Sequence, residues 1–196
     1  VGAAALALVL IENDLVEGSG NARFEPRPER SEAEAASEFL RLLEETVGQH
    51  RLGERPQGTF LSGGVDSSAI VAINARQVRE PVMTFSIGYP PQADDVSEFP
   101  YARKVAQQYG ARHHEFELSF ESFAEALPKL VWHMDEPVAD MAAIPLYFIA
   151  QLAREKITVV HSGEGADEIL AGYSIYSKMK WISSLQQRIG AFGSRL

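Results

Sequence analysis

A chain of 196 residues is long enough for one domain with a substantial core, and 45% hydrophobic with 23% charged residues is an ordinary soluble globular composition. The formal net charge of −9 argues against a general binder of nucleic acid or membrane surfaces. Cysteine is absent, which excludes disulfides, thiolate metal sites and a cysteine nucleophile within this chain and agrees with a cytoplasmic enzyme.

The chain opens on Val1 rather than Met, and residues 3–11 are an apolar run too short to span a bilayer and without the flanks of a signal peptide. We read this run as the end of a strand or linker. Residues 12–30 are polar and carry Gly18, Gly20, Pro26 and Pro28, so 1–30 as a whole is expected to be a linker or the remnant of a preceding domain. A helix is predicted from Ser31, which forms a capping-box pattern with Glu34; its apolar face is Ala36, Phe39, Leu40, Leu43 and Val47. Gln57 to Leu61 predicts the first strand, and the run after Asp66, with Ala69, Ile70, Ala72 and Ile73, the next helix. Val82 to Ile87 predicts a second strand, followed by a proline- and aspartate-rich loop from Gly88 to Val96. Ser97 is the expected cap of a helix with Ala102, Val105, Ala106 and Tyr109 on one face and Gly110 as its stop. Arg112 to Leu118 predicts a third strand, and Phe120 to Met134 a helix broken near Pro128. Ala143 to Glu155 predicts another helix and Ile157 to His161 a fourth, buried strand. Strands alternating with helices at this spacing predict an α/β fold, a doubly wound and mostly parallel sheet flanked by helices.

In such sheets ligands bind at the carboxyl ends of the strands. The loops at 62–68, 88–96 and 162–168 all fall at that edge. The run Phe60-Leu61-Ser62-Gly63-Gly64-Val65-Asp66-Ser67-Ser68 has the makings of an anion cradle. Its glycines allow close backbone approach, the helix start offers free N–H groups and partial positive charge, and Ser62, Ser67 and Ser68 add hydroxyl donors. No Gly-Lys-Ser/Thr follows, so it is not a Walker loop. Asp66 would repel a phosphate unless a cation lies between them, which points to Mg²⁺. Ser162-Gly163-Glu164-Gly165-Ala166-Asp167-Glu168 crowds three acids that repel unless cations or hydrogen bonds compensate. It is either an acidic helix start favoured by the dipole or a second metal ligand with a positioning carboxylate. Asp135-Glu136-Pro137-Val138-Ala139-Asp140 is either an ordinary loop or a substrate contact. Adjacent His113 and His114 point to opposite faces of a strand, which makes joint chelation difficult, and His161 reads as packing.

Together these stretches resemble a known family. Ser62-Gly63-Gly64-Val65-Asp66-Ser67 is similar to the pyrophosphate loop of the N-type ATP pyrophosphatases. Phe85-Ser86-Ile87-Gly88, His113-His114-Glu115, Asp135-Glu136-Pro137 and Ser162 to Glu168, closed by Gly172-Tyr173, follow in the order of the asparagine synthetases. The pyrophosphate loop alone is shared with GMP, NAD and argininosuccinate synthetases; the acidic block is far more specific. The resemblance implies that 31–196 is the ATP-pyrophosphatase (PP-loop) synthetase domain of a glutamine-hydrolysing asparagine synthase. It implies ATP with its adenine near Leu61 and Ile87, its phosphates over Ser62, Gly63, Gly64, Asp66, Ser67 and Ser68, and Ser162 and Gly163 at the ribose and α-phosphate. Asp66 and Asp167 are the implied Mg²⁺ ligands, with Asp167 and Glu164 as catalytic residues and Glu164 positioning or deprotonating ammonia. The implied reaction adenylates a carboxylate, aspartate in the family, with release of pyrophosphate; ammonia from a glutaminase domain then displaces AMP. A homodimer is compatible with the resemblance, and no nucleic-acid or membrane partner is implied.

The family's glutaminase domain uses an N-terminal cysteine, which this chain lacks, and its catalytic lysine and Arg-Val-Pro-type segment do not occur before Leu196. The synthetase domain is therefore expected to be truncated at its C-terminus, with ATP binding but no turnover as one outcome for this piece. Ala171 stands where the family often has glycine, which restricts that backbone position. Two alternatives remain: a relative acting on another carboxylate (an amidotransferase, β-lactam synthetase or peptide cyclase), or a non-catalytic ATP-binding module. Intact Asp66, Glu164 and Asp167 argue against the last.

Overall fold

The computed structural model describes residues 30–51, 53, 55–90, 97–135 and 142–193, with side chains as far as residue 186. The predicted linker, most of the loop after Gly88 and residues 136–140 lie outside the described residues. Four short strands, β1 (Gln57–Phe60), β2 (Met83–Gly88), β3 (Arg112–Glu117) and β4 (Val159–His161), make one parallel sheet in the order β3-β2-β1-β4. The chain steps outward from β1 to β3 and then returns to the far side of β1. That reversal defines the doubly wound class and leaves a crevice above the carboxyl ends of β1 and β4.

Parallel neighbours require crossovers, and helices supply them. They are α1 (Glu32–Gln49), α2 (Val65–Gln77), α3 (Phe99–Gln108), α4 (Phe120–Met134), α5 (Ala143–Arg154), the short α6 (Ala166–Leu170) and α7 (Ser174–Gly193). Alternation along β2 sorts its side chains between two packing layers. Phe85 is fully buried with Ile149 and Ala153 of α5 and with Ile157. Leu61 and Val71 pack with Ala102 and Ala106 of α3 in a separate cluster. Behind that, α1 seats Leu43 and Val47 on Ile73 of α2.

The capping box forms as expected: the Glu34 amide donates to Ser31 Oγ at 3.3 Å and the Ser31 amide to Glu34 Oε2 at 2.9 Å. Gly110 ends α3 at φ 62°, and the Ala111 amide reaches back to the Ala106 carbonyl at 2.8 Å. The fourth strand is shorter than expected and half-buried rather than buried. Three further expectations need correction. Leu40 is 48% exposed, so the buried stripe of α1 is narrower than its apolar pattern. Glu98 rather than Ser97 occupies the N-cap of α3, and it makes no side-chain cap bond. The third concerns α4, which runs unbroken through Pro128. An interior proline costs about 3 kcal/mol; burial of Ala126 and Leu130 against Leu118 and Ile144 holds the helix together across it.

The paired histidines do face apart. His113 Nδ1 lies 2.9 Å from Thr84 Oγ1, whereas the His114 ring stacks on Phe85 at 5.3 Å between centroids. Among the described residues no helix is long and apolar enough to cross a membrane. Because Phe85 fills the layer under α5 completely, Phe85→Ala is expected to cost about 3–5 kcal/mol. Urea unfolding should register this as a lower midpoint at an unchanged slope.

Candidate nucleotide site

At the end of β1 the Leu61 amide continues the ladder, donating to the Phe85 carbonyl at 2.8 Å. The chain then turns through Ser62, Gly63 and Gly64 into α2 at Val65. Gly63 has φ 84°, and a Cβ there would meet Tyr101 Cβ at 2.5 Å and the Ala102 amide at 2.6 Å, so only glycine fits against α3. The hydroxyls expected to serve a ligand first hold the loop itself. Ser67 Oγ lies 3.0 Å from Ser62 Oγ and accepts from the Ser62 amide at 3.3 Å, and Ser62 Oγ accepts from the Gly64 amide at 3.2 Å.

The acidic loop after β4 comes down on this turn. A Cβ on Gly163 would stand 2.8 Å from the Ser67 amide nitrogen and 3.0 Å from the Asp66 carbonyl carbon. The two stretches that the sequence placed at one sheet edge are thus in backbone contact. Between them opens a cleft of about 880 Å³, within the range of small-molecule sites. Leu61, Ser62, Gly64, Asp66, Ser67, Ile87, Ser162, Gly163, Glu164 and Asp167 all line it. Gly63 and Ser68 do not: Gly63 lies against α3, and Ser68 is set back in α2, its amide donating to the Gly64 carbonyl at 3.1 Å. Glu136 and Pro137 fall outside the described residues. His113 and His114 are spent in β3 packing, and His161 Nδ1 is 3.0 Å from the Asn74 side-chain amide.

Sequence reasoning missed several walls of the cleft. The start of α5 contributes Ala143, Pro145, Leu146 and Ile149 as an apolar side. Their only signal was an apolar helix, which says nothing of its neighbour. Glu98 also lines the cleft, and partial burial pushes its carboxyl up from the ordinary range. Its position just past the edge loop of residues 88–96 was the available clue. Tyr173 donates to Glu168 Oε1 at 2.7 Å, and that bond holds the phenol in its neutral form, pushing its pKa up to about 12. Ala171 adopts φ 56°, the left-handed conformation that glycine would hold without strain.

The charge lining the cleft has one sign. Asp66, Glu98, Glu164, Asp167 and Glu168 contribute carboxylates, and no lysine, arginine or histidine lines it among the described residues. Nor do any three His, Cys, Asp or Glu side chains there cluster closely enough to enclose a metal by themselves. Such a wall takes a polyphosphate only together with a cation. That donor set suits Mg²⁺, which favours one or two carboxylates plus phosphate oxygens and water over an all-protein cage.

A parallel doubly wound sheet with a glycine-serine turn and an acidic loop meeting at its reversal defines a nucleotide-type α/β domain. The asparagine synthase family matches residues 38–195, and the chain belongs to that family. Glutamine-hydrolyzing asparagine synthetase 1 of Bacillus subtilis is 41% identical over 155 residues, which cover 79% of this chain and 24% of the relative. Asparagine synthetase of Cricetulus griseus is 32% identical over 157 residues, covering 75% of this chain and 27% of that protein. The chain therefore spans about a quarter of the length of these curated relatives. Among solved structures, glutamine-dependent NAD⁺ synthetase from Acinetobacter baumannii with bound ADP aligns over 76% of this chain and 29% of its own at TM-score 0.49 and 18% identity.

Gly163→Ala forces one of the two loops to move, and overpacking of this kind costs about 1–3 kcal/mol. The variant should melt correspondingly earlier in a thermal scan, and an unchanged melting temperature would mean that the loops are not in contact.

Proposed function

We propose that residues 31–196 form the ATP-pyrophosphatase domain of an ATP-dependent amide ligase that converts aspartate to asparagine with ammonia from a glutaminase domain. The observation that carries this reading is the cleft in which the Ser62–Ser67 turn meets the Ser162–Glu168 loop, lined among the described residues only by carboxylate charge. Membership of the asparagine synthase family supports it. A cytoplasmic, homodimeric enzyme is part of the same reading.

In this reading the adenine lies against Leu61, Ile87 and the apolar side of α5. The ribose and α-phosphate lie beside Ser162 and Gly163, and the remaining phosphates face the N-terminus of α2. There the first backbone N–H groups and the helix dipole favour anionic oxygens. Ser67, already fixed by its bonds to Ser62, keeps the turn in the shape that exposes those amides. Asp66 and Asp167 would hold Mg²⁺ together with phosphate oxygens. Bound there, the ion would supply positive charge between those carboxylates and the departing pyrophosphate.

The substrate carboxylate attacks the α-phosphorus, the bond to the β-phosphate oxygen breaks, and pyrophosphate leaves with the electron pair. Ammonia then attacks the acyl carbon and AMP departs. Glu164 accepts the proton shed by the nitrogen, a role open to a carboxylate that pairs with no described side chain. A turn without a Walker lysine agrees with attack at the α- rather than the γ-phosphate.

The full-length protein given ATP, Mg²⁺, aspartate and ammonia should form asparagine, AMP and pyrophosphate in equal amounts. ADP and phosphate as products would overturn the α-phosphate chemistry, and amide formation only with a different carboxylate would reassign the substrate. Asp66→Asn should weaken Mg²⁺-dependent ATP binding at least tenfold, about 1.4 kcal/mol, by calorimetry; wild-type affinity would remove Asp66 from the metal.

A further inference from the structure

At the amino-terminal end of the same strands, away from the cleft, lies a second cavity of about 690 Å³. Its walls come from three connections that each lead into a strand. Arg51 and Arg55 sit between α1 and β1, Arg79 between α2 and β2, and Lys156 between α5 and β4. Among the described residues Glu80 is the single carboxylate residue lining it. In a chain of net charge −9 this is a local reversal of sign. Arg51 uses Nη1 to donate to the Gln77 carbonyl at 2.9 Å. Among the described residues Arg55, Arg79 and Lys156 take part in no ion pair. Cationic groups gathered around one cavity repel one another unless anions lie between them. Guanidinium forks present paired donors to phosphate or carboxylate oxygens, and three of the four cations are arginines.

We propose that this cavity is a second binding site, for a small polyanion carrying several phosphate or carboxylate groups, and that it works without a metal ion. The two sites lie at opposite ends of α2, which begins in the nucleotide turn and ends at Asn74 and Gln77 in the cavity wall. Their opposite charge separates their ligands: the cleft takes an anion only with a cation, whereas the cavity supplies its own positive charge.

That contrast gives the experiment. Inorganic tripolyphosphate and, separately, citrate are titrated into the protein by calorimetry at low salt in buffer stripped of divalent metal by a chelating resin, where the carboxylate-lined cleft is closed to free anions. One-site binding is expected. It should weaken at least tenfold in the Arg55→Ala/Arg79→Ala double variant, whose altered side chains are exposed, and weaken again as salt is raised. Asp66→Asn should leave it unchanged. The tighter of the two probes assigns the natural ligand to phosphate or carboxylate chemistry, and equal affinities assign it to their shared anionic oxygens. No binding of either probe, or wild-type affinity in the double variant, overturns the proposal. So does a metal-free affinity that moves with Asp66→Asn, because the anion would then sit in the cleft. Failure of the ligase assay leaves this measurement untouched, since it contains neither Mg²⁺ nor ATP.

Discussion

The approach of Gly163 to the backbone at Asp66 and Ser67 is the contact on which the site depends. It brings the loop after β4 within van der Waals distance of the first turn of α2, with no side chain between them. A Cβ would separate the two loops, and with them Asp66 and Asp167, the two carboxylates proposed to share one ion. The contact exists because β4 adds to β1 on the side opposite β2, so that their ends emerge next to each other. A sheet that continued outward from β3 would have left the acidic loop several strands away from the glycine turn.

Electrostatics then divides the molecule along its strands. Carboxylates gather above the carboxyl ends and guanidinium groups below the amino ends, although the chain as a whole is acidic. Neither wall neutralises itself among the described residues. Acids left unpaired around a phosphate-type turn are costly alone and favourable once a divalent cation and a polyphosphate arrive together. The cavity below has the complementary requirement. At both proposed sites the binding energy would come from charge that folding has assembled and left without its counterpart among the described residues.

Wherever a signal was local, the sequence was readable. The capping box of Ser31 and Glu34, the Gly110 stop and the strand–turn–helix at 57–77 depend on residues a few positions apart. Each appears close to where its pattern put it. The errors are cases where a distant partner decides. Leu40 continues an apolar stripe, but among the described residues it is left half exposed. Pro128 should stop a helix; α4 persists because Leu118 and Ile144, from other segments, bury its inner face. Glu98 and the α5 wall escaped notice because their relevance comes only from what faces them across the cleft.

The sequence by itself determined the chemistry on offer: a glycine-serine turn into a helix, a second loop of three acids, alternating strands and helices, and the motif order of the asparagine synthase family. It could do so because those features rest on residue type and short-range spacing. Only the tertiary structure decided that residues a hundred positions apart line one cleft, that Ser62 and Ser67 spend their hydroxyls on the loop, and that Arg51, Arg55, Arg79 and Lys156 ring one cavity. Those outcomes depend on strand order and on which side of β1 the chain returns to, a choice made by packing the whole sheet.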